Sequence, residues 1–207
     1  MISFEWNDPD LAETALINSD HKYRDRQRCY NSKIKLINEF MPFLITEKYK
    51  ILDISCGNGL FVEMLQDLGH TAEGSESTRS LYVPFHYSQG IKCKYFDASQ
   101  DMYPYKNKEF DIVTCIGAMN LYKPKEQWVK CADEMLRIAK KAVYIFFNID
   151  PLYQEYQKTF ENELFTFCNN GSFMMKALGI YVGTPKEAAC QKDSSSEQIS
   201  TVDTWLD

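Results

Sequence analysis

The chain has 207 residues, one ordinary domain with room for a terminal segment. It is 44% hydrophobic and 14% aromatic, enough apolar material for a buried core, which excludes a largely disordered chain. A formal net charge of −6 argues against a protein built to grip nucleic-acid phosphates, so no nucleic-acid partner is expected.

Met1 to Trp6 shows no basic region followed by an apolar run, and no stretch approaches the roughly 18 apolar residues that cross a bilayer. A cytoplasmic protein with no membrane partner is expected. Asp8-Pro9 reads as an N-cap followed by Pro at the first helical position and predicts a short helix near 9 to 17. Tyr23, Tyr30, Ile34, Ile37 and Met41 recur on one helical face and predict a second helix, with Lys22, Arg24, Arg26, Arg28, Lys33 and Lys35 opposite them.

The period then changes. Lys50-Ile51-Leu52-Asp53-Ile54 is a short buried-strand pattern, followed by the turn residues Ser55-Cys56-Gly57-Asn58-Gly59. Leu60, Phe61, Met64, Leu65 and Leu68 resume helical spacing up to Gly69, which suits a left-handed helix end. A strand near 71 to 75, a short helix near 78 to 87 and a third strand from Ile91 to Phe96 follow. In that third strand Lys92 and Lys94 alternate with apolar residues, as at a sheet edge. Phe110 to Ile116 and Ala142 to Phe147 are almost continuously apolar, as central strands covered on both faces should be. Between them Pro124 opens a predicted helix carrying Trp128, Ala132, Met135, Leu136 and Ala139 on one side.

This rhythm predicts an α/β fold with a doubly wound parallel sheet. After Asp150 the signal fades. Residues 151 to 162 suit a helix. Glu163 to Cys168, the turn Asn169-Asn170-Gly171, and Ser172 to Val182 suit an antiparallel hairpin, with a helix over 172 to 178 as the competing reading. Beyond Pro185 the chain turns polar and reads as a mobile tail. The seven cysteines are scattered and never spaced as C-x-x-C, and the three histidines are dispersed, so neither disulfides nor a metal site is expected.

Chemistry concentrates at Ile51 to Gly59, a tight loop of small residues between the first buried strand and its helix, where open α/β sheets bind ligands. Gly57 and Gly59 let backbone approach a ligand, and the helix after them points N–H groups at it. Asp53 stands in an otherwise apolar strand, where a carboxylate is costly unless a bound ammonium or backbone N–H groups compensate it. Glu76, at the end of the second strand, can accept both hydroxyls of a ribose. Asp97, at the end of the third, can accept from an exocyclic amine. A dinucleotide site is disfavoured because Val62 stands where the third glycine of G-x-G-x-x-G belongs, and a P-loop lacks its G-K-[ST].

Leu52-Asp53-Ile54-Ser55-Cys56-Gly57-Asn58-Gly59 resembles the L-D-x-G-C-G-x-G loop of the class I S-adenosylmethionine-dependent methyltransferases, with Ser55 in place of the first glycine. The resemblance extends over about 50 to 148, with Glu76 at the family's ribose-binding acid, followed by Ser77, and with Asp97-Ala98 at its adenine-contacting pair. It implies a mostly parallel seven-stranded sheet of order 3-2-1-4-5-7-6 with helices on both faces. It also implies S-adenosyl-L-methionine as cofactor, held by Asp53, Ser55, Cys56, Gly57, Asn58, Gly59, Glu76, Ser77, Asp97 and Ala98. Cys115 and Ile116, ending the fourth strand, would complete the site, and a helical lid over 1 to 45 would cover it with Tyr23 and Tyr30. The cofactor domain then spans 46 to 184 and the tail 185 to 207. In this family the loop after the fourth strand faces the methyl, and here it lacks the frequent histidine, which leaves Asn120 to orient an acceptor and Tyr122 to lend a hydroxyl. The expected activity is direct in-line methyl transfer to a small-molecule acceptor. The alternatives are a cofactor-binding module of the same fold without transfer, and a protein side-chain methyltransferase.

Overall fold

The computed structural model describes residues 26–80, 82, 83, 86, 90–100 and 102–187, with side chains from Tyr30 onward. The helix expected near 9 to 17, Tyr23, residues 81, 84, 85 and 87 of the helix expected near 78 to 87, and the expected tail beyond 187 lie outside the described residues.

Helix α1 (Arg26–Phe40) leads through a 3₁₀ turn (Pro42–Ile45) to β1 (Lys50–Ile54), α2 (Leu60–Asp67), β2 (Thr71–Glu76), β3 (Cys93–Tyr95) and β4 (Phe110–Ile116). Then come a 3₁₀ turn (Met119–Leu121), α3 (Gln127–Ile138), β5 (Ala139–Phe146), α4 (Pro151–Phe167), β6 (Gly171–Ala177) and β7 (Ile180–Pro185). The strands form one sheet in the order β3-β2-β1-β4-β5-β7-β6. The first five are parallel to one another, β7 is antiparallel to β5, and β6 is antiparallel to β7. The sheet is therefore mixed. Its antiparallel part follows from the two-residue link Leu178-Gly179, too short for the crossover that parallel strands require.

Alternate residues of a strand face opposite sides, and the core divides accordingly. Ile51 and Ile112 pack with Ile37, Phe61 and Leu65 of α1 and α2, whereas Leu52, Val113 and Val143 pack with Trp128, Leu136 and Phe160 of α3 and α4. Helices thus cover both faces. Ile37, Met41 and Leu44 are buried in the first cluster, so the described part of the expected lid segment shares the core of the sheet.

Several boundaries differ from the sequence expectations: β3 is shorter than Ile91 to Phe96, and Ala139, expected on the helix, begins β5. Pro124 sits in the turn before α3, where the Gln127 N–H donates to the Pro124 carbonyl at 3.0 Å, and the helix begins at Gln127. Residues 163 to 167 continue α4, whose start is fixed by Asp150: its Oδ1 accepts from the Tyr153 N–H at 2.8 Å, with Pro151 in the first turn. Asn170 does not turn a hairpin there; its backbone N–H and Nδ2 donate to the Asp133 carboxylate on α3 at 2.8 and 2.9 Å, and the hairpin turns instead at Leu178-Gly179.

Trp128 is fully buried against Phe147, Tyr156 and Phe160, and its indole N–H donates to the Tyr122 carbonyl at 3.1 Å. Trp128→Ala is expected to lower the unfolding free energy by about 3 to 5 kcal/mol, read from urea midpoints at unchanged slope. A loss below about 1 kcal/mol would contradict this packing.

Candidate functional site

The site lies where β1, hydrogen-bonded on one side to β2 and on the other to β4, ends and the chain bends into α2. Three backbones in the bend are left-handed: Ser55 (φ 53°), Gly57 (φ 59°) and Gly59 (φ 80°). At Gly59 glycine is required twice over, since a Cβ would also stand 2.6 Å from Ile91 Cδ1. Ser55 adopts the same region without being glycine, and its hydroxyl hydrogen-bonds the Tyr122 hydroxyl at 2.8 Å. Asn58 Oδ1 accepts from the Leu60 N–H at 3.1 Å and so ties the loop to the first turn of α2.

Two carboxylates flank the bend. Asp53 is only 3% exposed, and Thr114 Oγ1 donates to its Oδ1 at 2.6 Å. Burial pushes its carboxyl up to about 6, against the pull of the Lys33 charge and the Thr114 hydrogen bond, while Glu76 adds to the push. Glu76 closes β2: its Oε2 accepts from the Gly57 N–H at 2.8 Å and its Oε1 from the Ser77 N–H at 2.9 Å. Burial raises its pKa, and those two N–H groups oppose the rise. Among the described residues these are the bonds Glu76 accepts, and each oxygen has a second lone pair beyond them.

A third group holds the bend from beneath. His86 is fully buried, and its Nε2 hydrogen-bonds the Gly57 carbonyl at 2.6 Å while Nδ1 meets the Tyr95 hydroxyl at 3.3 Å. Cys56 Sγ lies 3.9 Å from Cys93 Sγ, and the Cys56 N–H donates to the Ser75 carbonyl at 2.9 Å. The Cys56 thiol, donating to Cys93 and buried, is pushed up, and Cys93 is held below the usual thiol range by that hydrogen bond.

The other sequence candidates are distributed as follows. Asp97 is exposed beyond β3, with Oδ1 accepting from the Ser99 N–H at 2.9 Å and the Ser99 hydroxyl at 2.6 Å, and Ala98 beside it is buried. Cys115 is buried at the end of β4, its thiol pushed up to about 12 by burial, and Ile116 beside it is half-buried. Tyr30 packs at the margin of the cluster that holds Cys56 and Phe61. Asn120 uses its amide internally: Nδ2 donates to the Asn148 carbonyl and Asp150 Oδ2 at 2.8 and 2.9 Å, and Oδ1 accepts from the Asn148 N–H at 3.1 Å. Tyr122 is buried with its hydroxyl on Ser55, and burial pushes its pKa well above the usual tyrosine value. Sequence reasoning does not single out Thr114, Lys33 and Cys93 for the site, because Thr114 and Cys93 reach it from other strands and Lys33 from α1 rather than along the local chain.

The model of a family described as "Methionine biosynthesis protein MetW" matches residues 36–156. A ubiquinone biosynthesis O-methyltransferase of Thiobacillus denitrificans (strain ATCC 25259 / T1) is 28% identical over 153 residues, covering 67% of this chain and 62% of its own length. The chain thus spans less than two thirds of that relative. Among solved structures, the PH0226 protein of Pyrococcus horikoshii OT3 superposes with a TM-score of 0.53 at 20% identity, covering 82% of this chain and 93% of its own. An S-adenosylmethionine-dependent methyltransferase of Thermotoga maritima, described as a possible histamine N-methyltransferase, gives 0.52 at 16% identity, covering 86% and 99%. The fold is that of the class I S-adenosylmethionine-dependent methyltransferases.

The raised pKa of Asp53 sets a sign for stability. The folded protein holds a proton that the unfolded chain, with its ordinary value of 3.8, releases between about pH 4 and 6. The contribution of Asp53 is therefore most favourable below that window and is lost as pH rises through it. Asp53→Asn keeps the Thr114 hydrogen bond and removes the charge. It is expected to exceed the natural protein in stability by about 1 to 3 kcal/mol near pH 7.5 and to show little difference near pH 4, measured by urea unfolding at both values. Equal stability at both would show that the buried charge carries no cost.

Proposed function

The chain belongs to the family described as "Methionine biosynthesis protein MetW", and from that membership and the geometry of the bend we propose that it is an S-adenosylmethionine-dependent methyltransferase acting on a small-molecule acceptor. The observation that carries this reading is a buried, only partly compensated carboxylate, Asp53, beside a left-handed glycine bend that Glu76 closes from the next strand. The O-methyltransferase name of the Thiobacillus relative supports a small acceptor.

These residues fit the cofactor by their chemistry. Among the described residues Asp53 has one neutral donor, Thr114, and feels the Lys33 cation as a field, which suits it to an ammonium partner. Among the described residues Glu76 accepts one hydrogen bond on each oxygen, which leaves each a second lone pair, enough for two adjacent hydroxyls. In this reading Ser55 to Gly59 would bring backbone close to the ligand, Ser77 and Asp97-Ala98 would serve the adenine, Cys115 and Ile116 would complete the site, and Tyr30 would help to cover it. Tyr23, outside the described residues, would act with it.

When bound, S-adenosylmethionine supplies a sulfonium methyl that needs no further activation. The protein's work is then to orient and to exclude water, which can contribute several kcal/mol to lowering the barrier. Asn120 holds the loop after β4 against the end of β5, and Tyr122 braces Ser55, so both act as positioning residues. Neither is placed to serve as a free base: the Asn120 amide is bonded internally, and the Tyr122 phenol is held protonated by burial.

Calorimetric titration with S-adenosylmethionine and its demethylated product tests the reading. Asp53→Ala and Glu76→Ala are each expected to weaken binding by about 1 to 3 kcal/mol. Binding by the natural protein should strengthen as pH rises through about 6, because Asp53 must lose its proton to pair with an ammonium. Unchanged affinity in both variants would remove the site assignment. Transfer of labelled methyl to a small molecule in cell extract separates this enzyme from a binding module and from a protein methyltransferase.

A further inference from the structure

Beneath the bend, Cys56 Sγ, Cys93 Sγ and a ring nitrogen of His86 lie within 4.8 Å of one another. They come from three separate parts of the chain: the bend after β1, the edge strand β3, and the segment between β2 and β3. We propose that Cys56, Cys93 and His86 form a binding site for a thiolate-seeking divalent cation of the zinc type, which pins the bend Ser55–Gly59 to the sheet edge.

The spacing fits. Two sulfurs each about 2.3 Å from a shared tetrahedral ion stand about 3.8 Å apart, and these stand 3.9 Å apart. Two thiolates and one imidazole are a donor set that zinc uses with a fourth position left for water or another ligand. The Gly57 carbonyl holds the imidazole in a fixed tautomer. The Gly57 carbonyl can only accept, so Nε2 carries the hydrogen and Nδ1 the lone pair, the arrangement in which a backbone carbonyl fixes a ligand histidine from outside. An ion at Nδ1 competes with the 3.3 Å contact from the Tyr95 hydroxyl. Room for adjustment is small: a Cβ on Gly74, the residue paired with Cys93, would collide with Cys56 Sγ, so glycine there lets the two sulfurs meet across β2.

The site needs no cofactor, so its failure is distinguishable from failure of the methyltransferase reading. The test is titration of the full chain, kept reduced with a phosphine, with Co²⁺ and then Zn²⁺. One equivalent of Co²⁺ should give tetrahedral visible bands with thiolate-to-cobalt charge transfer in the near ultraviolet, and Zn²⁺ should abolish both. Cys93→Ser and His86→Ala should each weaken uptake at least tenfold, and Cys168→Ser, altering a cysteine at the far end of α4, should leave it unchanged. Because a variant can fail to fold, the natural protein carries a second readout: one equivalent of Zn²⁺ should slow alkylation of Cys56 and Cys93 at least tenfold relative to Cys168. Absence of charge transfer, uptake unaffected by Cys93→Ser, or unprotected Cys56 and Cys93 would each overturn the site.

Discussion

A strand hydrogen-bonded along both edges and covered on both faces leaves the chain one way out, over its end. That constraint on β1 organises the rest. With β2 on one side and β4 on the other, the two chains that follow diverge, and the gap between them opens at the carboxyl end of β1. The bend must be tight enough to start α2 immediately, and this is why three consecutive odd positions, Ser55, Gly57 and Gly59, take left-handed backbones. Everything argued for function stands at this gap: an acid inside β1, an acid at the end of β2, and amide groups of the bend between them.

The bend is held from above and below by unlike means. On the β4 side, Ser55 reaches Tyr122, and the carbonyl of Tyr122 receives the indole of Trp128, so the loop is continuous with the larger core cluster. On the β2 side, Gly57 gives its N–H to Glu76 and its carbonyl to His86. A serine at position 55 bears the cost of a positive φ and gains a hydrogen bond that glycine lacks. Asp53 is the counterpart in charge: folding buries it in a state where it resists ionisation, a penalty that function at this position would explain.

Much of this frame is legible in the sequence. Lys50 to Ile54 and Phe110 to Ile116 coincide with β1 and β4, because fully buried strands are short apolar runs with abrupt ends. Lys92 and Lys94 mark β3 as an edge, and Gly69 ends α2 with a left-handed backbone. The hairpin was misplaced because Asn169-Asn170-Gly171 is the stronger local turn signal, while its amide is claimed by Asp133, a partner on another helix. The same kind of long-range claim decides the candidates of the β4 loop. Asn120 and Tyr122 read as available groups along the chain, yet Asn148, Asp150 and Ser55 occupy them. His86, one of the three dispersed histidines, is buried against partners, Gly57 and Tyr95, that are remote from it in sequence. Local pattern specifies elements; pairings among side chains need the assembled sheet.

The antiparallel hairpin has an architectural outcome of its own. Since Ile180 pairs with Phe146, the last residue of β5, the turn Leu178-Gly179 arrives at the same rim as the bend after β1, and the Gly179 carbonyl accepts from the Phe147 N–H at 2.8 Å. A parallel strand in that place would have sent its connection to the opposite end. Insertions at Leu178-Gly179 would therefore enlarge the rim without shifting any strand register, which gives the lineage a place to remodel this rim while the bend after β1 stays fixed.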